Sequence, residues 1–554
     1  MDTSEVSTSI IKSHGKYFCN KESPYYDAKI CELLCNDNDE QYEINISNRA
    51  LTILPRDLFS GLENLYKYKF KLRLDHNQLN NIESSFFNGL LQLMELDLSH
   101  NNLTTLPKDI FNGTEYLHSL RIESNQLNNL ESGIFYGLES ICDINLESNQ
   151  LTYLEPGIFD NSPSLMSLNI SNNNLTTLTK EIFGKPREFL YLDLNSNQLH
   201  NLEPGCFNGL SRLMEINISQ NNLTTLLKNT FNDCIGLIKL DIQFNQLKYL
   251  EPGCFNGLSQ LEELNISNNS LTTLSEGIFD GLEKLHILNL NSNKLNDLEA
   301  SCFNGLDLDE LDISNNDLVT LSRNVFNGLK NISHLNLQSN RLNNLESANF
   351  NGIPRLHKLD ISYNNLTTLV KDTFNGTQSL HELKLNSNEL DNLESGCFRN
   401  LLKLQILDIS ENNLTTLTKD IFSSLLSLRH LNLNSNKLLN LESGTFNNLL
   451  ELEELSISEN ELIFLPNDIF RSLKSLLRLL LDSNQLLDLA KDTFHGLLKL
   501  EELDMSANEL TTLPNDIFKD LRNLNHLNMT SNRLQDHELE IFNDLSKLED
   551  LYLS

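Results

Sequence analysis

One asparagine recurs along almost the whole chain, and its spacing excludes most folds before composition is considered. It stands at Asn77, Asn101, Asn125 and onward to Asn532, 20 positions in all, with every step 24 residues except one of 23 between Asn293 and Asn316. The short step falls at Gly305-Leu306-Asp307-Leu308. Apolar residues stand 8, 5 and 3 positions before each of these Asn residues, and 2 and usually 5 positions after. A Phe follows about ten positions on, in a series of 21 from Phe59 to Phe542 that takes up most of the 27 Phe of the protein. A unit this short cannot bury its own apolar side chains and must bury them against its neighbours. The 554 residues therefore read as one stacked array rather than as several globular domains.

Within a unit, Leu96-Asp97-Leu98-Ser99-His100-Asn101-Asn102-Leu103 alternates apolar and polar residues and then turns. The alternation predicts a short strand with one buried face, each coil adding a parallel strand about 4.8 Å from the last. Backbone groups buried at the turn need partners, and an amide side chain both donates and accepts. The ladder Asn residues are thus read as structural, and the Phe column as a stacked core spine.

This pattern, L-x-x-L-x-L-x-x-N-x-L followed by Phe, resembles the 24-residue typical subclass of leucine-rich repeat proteins over about nine tenths of the chain. The resemblance implies an α/β fold, a leucine-rich repeat solenoid or horseshoe of about 21 coils. One continuous parallel β-sheet would line its concave side, with short 3₁₀ or turn segments on the convex side. The likeness to Toll-type receptor ectodomains and chondroadherin-like extracellular proteins implies a non-catalytic protein-binding scaffold. Such a scaffold would be the ligand-binding ectodomain of a receptor, or an extracellular matrix or innate-recognition protein. An intracellular leucine-rich repeat adaptor and a structural spacer without a specific ligand stand as alternatives.

Residues 1–43 fall outside the pattern and 44–554 carry it, with Arg49 where the first ladder Asn would stand. Cys19, Cys31 and Cys35 resemble the cysteine-bearing cap of extracellular members, which makes them candidates for structural disulfides; three cysteines are one short of the usual four. A cytosolic leader with free thiols is the alternative. Cys142, Cys206, Cys234, Cys254, Cys302 and Cys397 lie within the repeats. Neighbours in the Cys206 column are two or more coils apart, beyond the roughly 7 Å a disulfide spans, so free buried thiols are expected. Fourteen N-x-S/T sequons occur, among them Asn102, Asn112, Asn174, Asn222, Asn365 and Asn413. They are candidate N-glycosylation sites in a number close to chance for so Asn-rich a chain. The sequence closes on Leu548-Glu549-Asp550-Leu551-Tyr552-Leu553-Ser554, partway through a coil, which leads to the expectation that further chain or a second copy in a homodimer covers that edge. The family resemblance points to an extracellular or cell-surface location. The start Met1-Asp2-Thr3-Ser4-Glu5 lacks a basic n-region, and a cytoplasmic location is the alternative.

Counting 76 acidic against 42 basic side chains gives a net charge of -34. That opposes binding to nucleic acid and favours a basic protein ligand. No apolar run approaches the roughly 20 residues of a membrane-spanning helix. No P-loop, G-x-G-x-x-G after a strand, H-E-x-x-H or G-x-S-x-G is present, so neither enzyme chemistry nor a cofactor is expected. A metal is not expected either: in the column four before the ladder, Asp mostly alternates with Asn, leaving carboxylates about 10 Å apart.

Departures from the repeat are the informative positions. His334, His357, Lys358, Asp360, Tyr363, His381, Glu382, Lys384, Ile406, Arg429 and His430 break the Asp/Asn/Ser monotony, and His357 and His381 share a column on adjacent coils. They form a candidate partner site whose affinity would change as imidazoles take up protons near pH 6. Drift within a duplicated surface is the alternative. Lys67, Lys69, Lys71 and Arg73 form a second candidate patch, or else a Lys-rich edge strand that discourages aggregation.

Overall fold

A computed structural model describes residues 42–59, 69–183, 188–347, 349–534 and 539–553, together with Lys21 and Ser23. Cys19, Cys31 and Cys35 lie outside the described residues. The chain divides into two compact units, one of Met1–Ser270 with Ile278–Leu285 and one of Leu271–Gly277 with His286–Ser554.

In the first unit, parallel strands run from Tyr42–Asn45, Phe70–Arg73 and Leu93–Asp97 through Ser119–Arg121 to Glu263–Asn265. The second unit repeats the arrangement from Ile287–Asn289 to Asp550–Tyr552. Pairing is in register with the repeat: Glu215, Ile216 and Asn217 lie opposite Lys239, Leu240 and Asp241. The central residue of each strand points inward because the L-x-L alternation matches the two-residue period of a strand. Ile216 and Leu240 are accordingly buried, while their neighbours are half-exposed or exposed. Two-residue strands pair farther along some coils, Thr177–Leu178 with Asn201–Leu202 in the first unit and Thr368–Leu369 with Asn392–Leu393 in the second. The described residues hold no α-helix; one 3₁₀ helix, Leu539–Phe542, and turns make up the return limbs.

Each ladder Asn does the work of several backbone partners. The Asn101 Nδ2 donates to the carbonyls of Leu74 at 3.0 Å, Leu98 at 3.1 Å and Ser99 at 3.1 Å, and its Oδ1 accepts from the Leu79 amide at 3.0 Å. One side chain thereby ties its own turn to the preceding coil. The residue just before the ladder takes a left-handed conformation in every coil, with φ of 52° at His100, 53° at Phe244 and 54° at Tyr363. A non-glycine residue there costs roughly 1–2 kcal/mol, a strain held by the turn around the Asn. In the first coil, where Arg49 replaces Asn, the guanidinium Nη2 donates to the Asn45 carbonyl at 2.9 Å.

The Phe column forms a spine in both units, with near-parallel rings 5.6 Å apart at Phe135–Phe159 and 6.3 Å apart at Phe326–Phe350. All six cysteines of the repeats are free, and all but the half-exposed Cys142 are buried. Burial pushes the thiols of Cys234, Cys254, Cys302 and Cys397 up to about 12, so they behave as inert core residues.

The Lys-rich edge strand is corrected. Phe70–Arg73 is an interior strand, paired with Tyr42–Asn45 on one side and Leu93–Asp97 on the other. Its basic side chains meet carboxylates: Lys71 lies 2.6 Å from Glu95, and Arg73 Nε lies 3.0 Å from Asp75. Asp75 is only 3% exposed. Burial opposes its charge, but hydrogen bonds from Arg73 and His76 and the Arg73 charge outweigh that and hold its carboxyl below the usual range. A carboxyl lowered by folding adds stability above its unfolded pKa, near 4, that is lost as pH falls through the folded value. Arg73→Ala is therefore expected to cost about 1–2 kcal/mol at pH 7. Its deficit relative to the parent chain should shrink below about pH 4, as both unfolded and folded carboxyls take up the proton. Urea midpoints across that pH range check this, and a deficit that stays flat with pH would remove the pair from the account.

Candidate functional site

The partner-site residues named from the sequence all fall in the second unit, and the strand register gathers most of them. His334, Lys358, Glu382, Ile406 and His430 stand opposite one another on successive strands, a continuous row on the outward face. One residue earlier in each coil, His357 and His381 stack with ring centroids 5.0 Å apart and planes 16° from parallel. Backbone bonds lock that column, with the His381 amide donating to His357 O and the Gln405 amide to His381 O, each at 2.8 Å. Asp360 and Lys384 form the next row on the same face, two residues along the strands and directly opposite each other.

The charges are cross-linked. Lys384 Nζ lies 3.4 Å from Glu382 and 3.8 Å from Asp360, and Lys358 Nζ lies 3.6 Å from Glu382. His334 Nδ1 lies 2.7 Å from the Ser333 hydroxyl and 3.7 Å from Glu310, and His430 Nδ1 lies 3.2 Å from Glu454. These pairs are half-exposed and each contributes little to stability. What they do is set opposite charges side by side along the row. An open depression of about 400 Å³ lies among His334, Lys358, Asp360, Glu382 and Lys384.

The structure does not bring every named residue into that depression. Arg429 pairs with Glu453 at 3.0 Å, and His430 lines a second depression of about 410 Å³ with Glu453, Glu454, Arg478, Glu501 and Glu502. Tyr363, 50% exposed, sits on the left-handed turn residue outside both. Glu310 and Asp312, which line the first depression, were missed by sequence reasoning because each follows the surface consensus. The Glu453-Glu454 and Glu501-Glu502 doublets were a readable signal, since both fall in the columns of His357 and Lys358.

The column four before the ladder proves to be structural. Asp360 Oδ1 accepts from the Ser362 amide at 3.0 Å, and Asn336 Oδ1 from the Gln338 amide at 3.1 Å. These acceptors are used by their own turns. Lys384 interrupts that column, which is why its ammonium is available to Glu382.

Of the candidate glycosylation sites, Asn365 is exposed while Asn102, Asn112, Asn174, Asn222 and Asn413 are half-buried. The Oδ1 atoms of Asn174 and Asn222 accept from Gln198 at 2.9 Å and Gln246 at 3.1 Å on the next coil.

Sequence comparison matches leucine rich repeats to residues 71–117, 115–175, 187–247, 235–295, 283–342, 331–390, 378–438, 427–486 and 476–534. No curated protein matches the chain. Among solved structures, YopM from Yersinia enterocolitica is similar at a TM-score of 0.54 and 25% identity, over 92% of this chain and 91% of that one. The TLR13–ssRNA13 complex is similar at a TM-score of 0.53 and 24% identity, over 91% and 83% of the two chains. The glycosylated Toll–Spatzle complex of Drosophila is similar at a TM-score of 0.57 and 21% identity, over 86% and 76%.

Proposed function

Because this chain belongs to the leucine-rich repeat family, we propose that it is a non-catalytic scaffold that binds a protein ligand through the outward face of its second unit. The observation that carries the reading is the row His334, Lys358, Glu382, Ile406 and His430, which the strand register sets as paired charges beside one exposed apolar residue. Ile406 is 38% exposed in a column that is otherwise charged or polar apart from Tyr191 and Ile287. The solved complex of Toll with Spatzle supplies the precedent of a protein ligand on the same fold. TLR13 is solved with a single-stranded RNA, but the net charge of -34 here opposes a polyanion.

The ligand we propose carries basic groups toward Glu310, Asp312 and Glu382. Added positive charge on His334, His357, His381 and His430 then weakens its binding as pH falls. The groups facing these imidazoles are Glu310 and Lys358 at His334, the two stacked rings themselves, and Glu454 at His430. The test is a photo-crosslinking residue placed at Ile406 of the full chain, with Leu426, 52% exposed, as the control position. Capture of a partner at 406 and not at 426 is expected, falling more than about threefold between pH 7.4 and 5.5. The pH dependence should shrink in His357→Ala/His381→Ala to the part carried by His334 and His430. Equal capture at the two positions, or an unchanged pH profile in the variant, sinks the assignment.

We further propose the extracellular setting implied by the resemblance to receptor ectodomains. Expression in eukaryotic cells should yield glycan mass at Asn365 and disulfide-linked peptides from Cys19, Cys31 and Cys35. Bare asparagine and free thiols would instead support the intracellular adaptor.

A further inference from the structure

A different surface, in the first unit, breaks the polar pattern in another way. The column seven before the ladder runs Met166, Leu190, Met214 and Ile238 on successive coils, all exposed or half-exposed. In the second unit the same column is polar over most of its length, with His357, His381 and Glu453 among its members. Met94, Met166 and Met214 put three of the six methionines of the protein into this one column. Met is unbranched and adapts to the shape of what lies on it. The stripe is rigidly spaced, since the amides of Leu190, Met214 and Ile238 each donate to the column residue of the preceding coil at 2.8, 2.9 and 2.8 Å.

Beside it lies an acidic depression of about 320 Å³ whose lining includes Tyr191, Asp193, Glu215, Lys239 and Asp241. The single cation, Lys239, is held by Glu263 at 2.9 Å, which leaves Asp193, Glu215 and Asp241 to set the local charge.

We propose that this stripe is a docking site for a basic amphipathic helix of a partner protein, lying across the strands with one apolar side chain per turn on each coil. The spacing selects a helix. Coils repeat about every 4.8 Å and a helix turns every 5.4 Å, so over three steps the two fall out of step by about 2 Å. An extended segment places same-face residues about 6.7 Å apart and slips by more than a whole coil over the same span. The charge selects the sign, because Lys or Arg flanking the apolar stripe of such a helix would face Asp193, Glu215 and Asp241. A second copy of this chain fits poorly: its net charge is -34, and its described residues contain no α-helix to offer. The site rests on the scaffold reading only in being non-covalent, and it shares no residue with the row around Ile406.

The test uses the full chain and two synthetic 18-residue peptides of identical Leu and Lys composition, one with Leu at helical spacing and one with Leu and Lys alternating. The helical peptide is expected to bind at least tenfold more tightly than the alternating one and to gain ellipticity at 222 nm on binding. Met214→Lys, and independently Glu215→Lys, should each weaken it at least tenfold, whereas Leu498→Lys on an exposed turn of the second unit should change affinity less than twofold. Equal binding of the alternating peptide, or affinities unmoved by both stripe variants, would show adsorption of a polycation to an acidic chain and overturn the site. A dimer in sedimentation that Met214→Lys dissociates would make the occupant a second copy and overturn it equally. Crosslinking at Ile406 reads separate coils in the second unit, so failure here leaves that assignment standing or falling alone.

Discussion

Asn364→Asp is expected to destabilise the second unit by roughly 3–5 kcal/mol, although the substitution changes one amide nitrogen to oxygen. Asn364 is 6% exposed. Its Nδ2 donates to Leu337 O at 3.0 Å, Ile361 O at 3.1 Å and Ser362 O at 3.1 Å, and its Oδ1 accepts from the Leu342 amide at 3.0 Å. A carboxylate keeps only the last of these and turns a negative oxygen toward three carbonyl oxygens. The variant also makes a signed prediction in pH. Burial among acceptors raises the folded pKa of the new carboxyl above its unfolded value near 3.9, so the folded chain binds the proton more tightly. The deficit against the parent chain should therefore shrink as pH falls through the folded pKa, because a protonated carboxyl donates once. Urea midpoints and hydrogen exchange at the Leu342 amide read both effects. A deficit under about 1 kcal/mol would mean that the ladder amide is not what closes the turn.

The same comparison explains what was legible in the sequence. The coil, its strand and the Phe spine follow from positions of Leu, Asn and Phe alone, because a repeat that must bury its face on its neighbours leaves few alternatives. The ladder tolerates no Asp across its 20 positions, since it must donate. The column four before it mixes Asp360 with Asn336 and Asn432, since either can accept the turn bond that the Ser362 amide makes, and Lys384 and Leu480 show that the coil also closes without it. From the sequence that second column shows only that Asp mostly alternates with Asn, because both kinds of polar residue look alike without the bond. The left-handed residue before the ladder was invisible for a related reason. Ser, Asn, Phe, Tyr and Glu all occupy it, so composition carries no signal, and the backbone is set by the Asn that follows. Site residues were readable where they broke a column, as His357 and Lys384 do. They were unreadable where the consensus itself lines the depression, as at Glu310 and Asp312.

Phe398→Ala should cost a similar roughly 3–5 kcal/mol, by removing a ring rather than a hydrogen-bond donor. Phe398 has 0% exposure, and its ring lies 6.1 Å from that of Phe374 and 6.3 Å from that of Phe422. Truncation opens a cavity between two coils whose backbones are tied by their own strand and ladder bonds and cannot close on it. Phe398→Leu, which keeps most of the volume, should cost no more than about 1.5 kcal/mol. Phe464→Ala, at 57% exposure, should fall within about 0.5 kcal/mol of the parent chain. The spatial spread of the damage tests how the array is held. Each coil touches only its neighbours, so exchange protection should fall at the coils flanking Phe398 and recover several coils away. Uniform loss of protection from Ile287 to Tyr552 would instead show that the second unit unfolds as one cooperative block, with coupling beyond nearest neighbours.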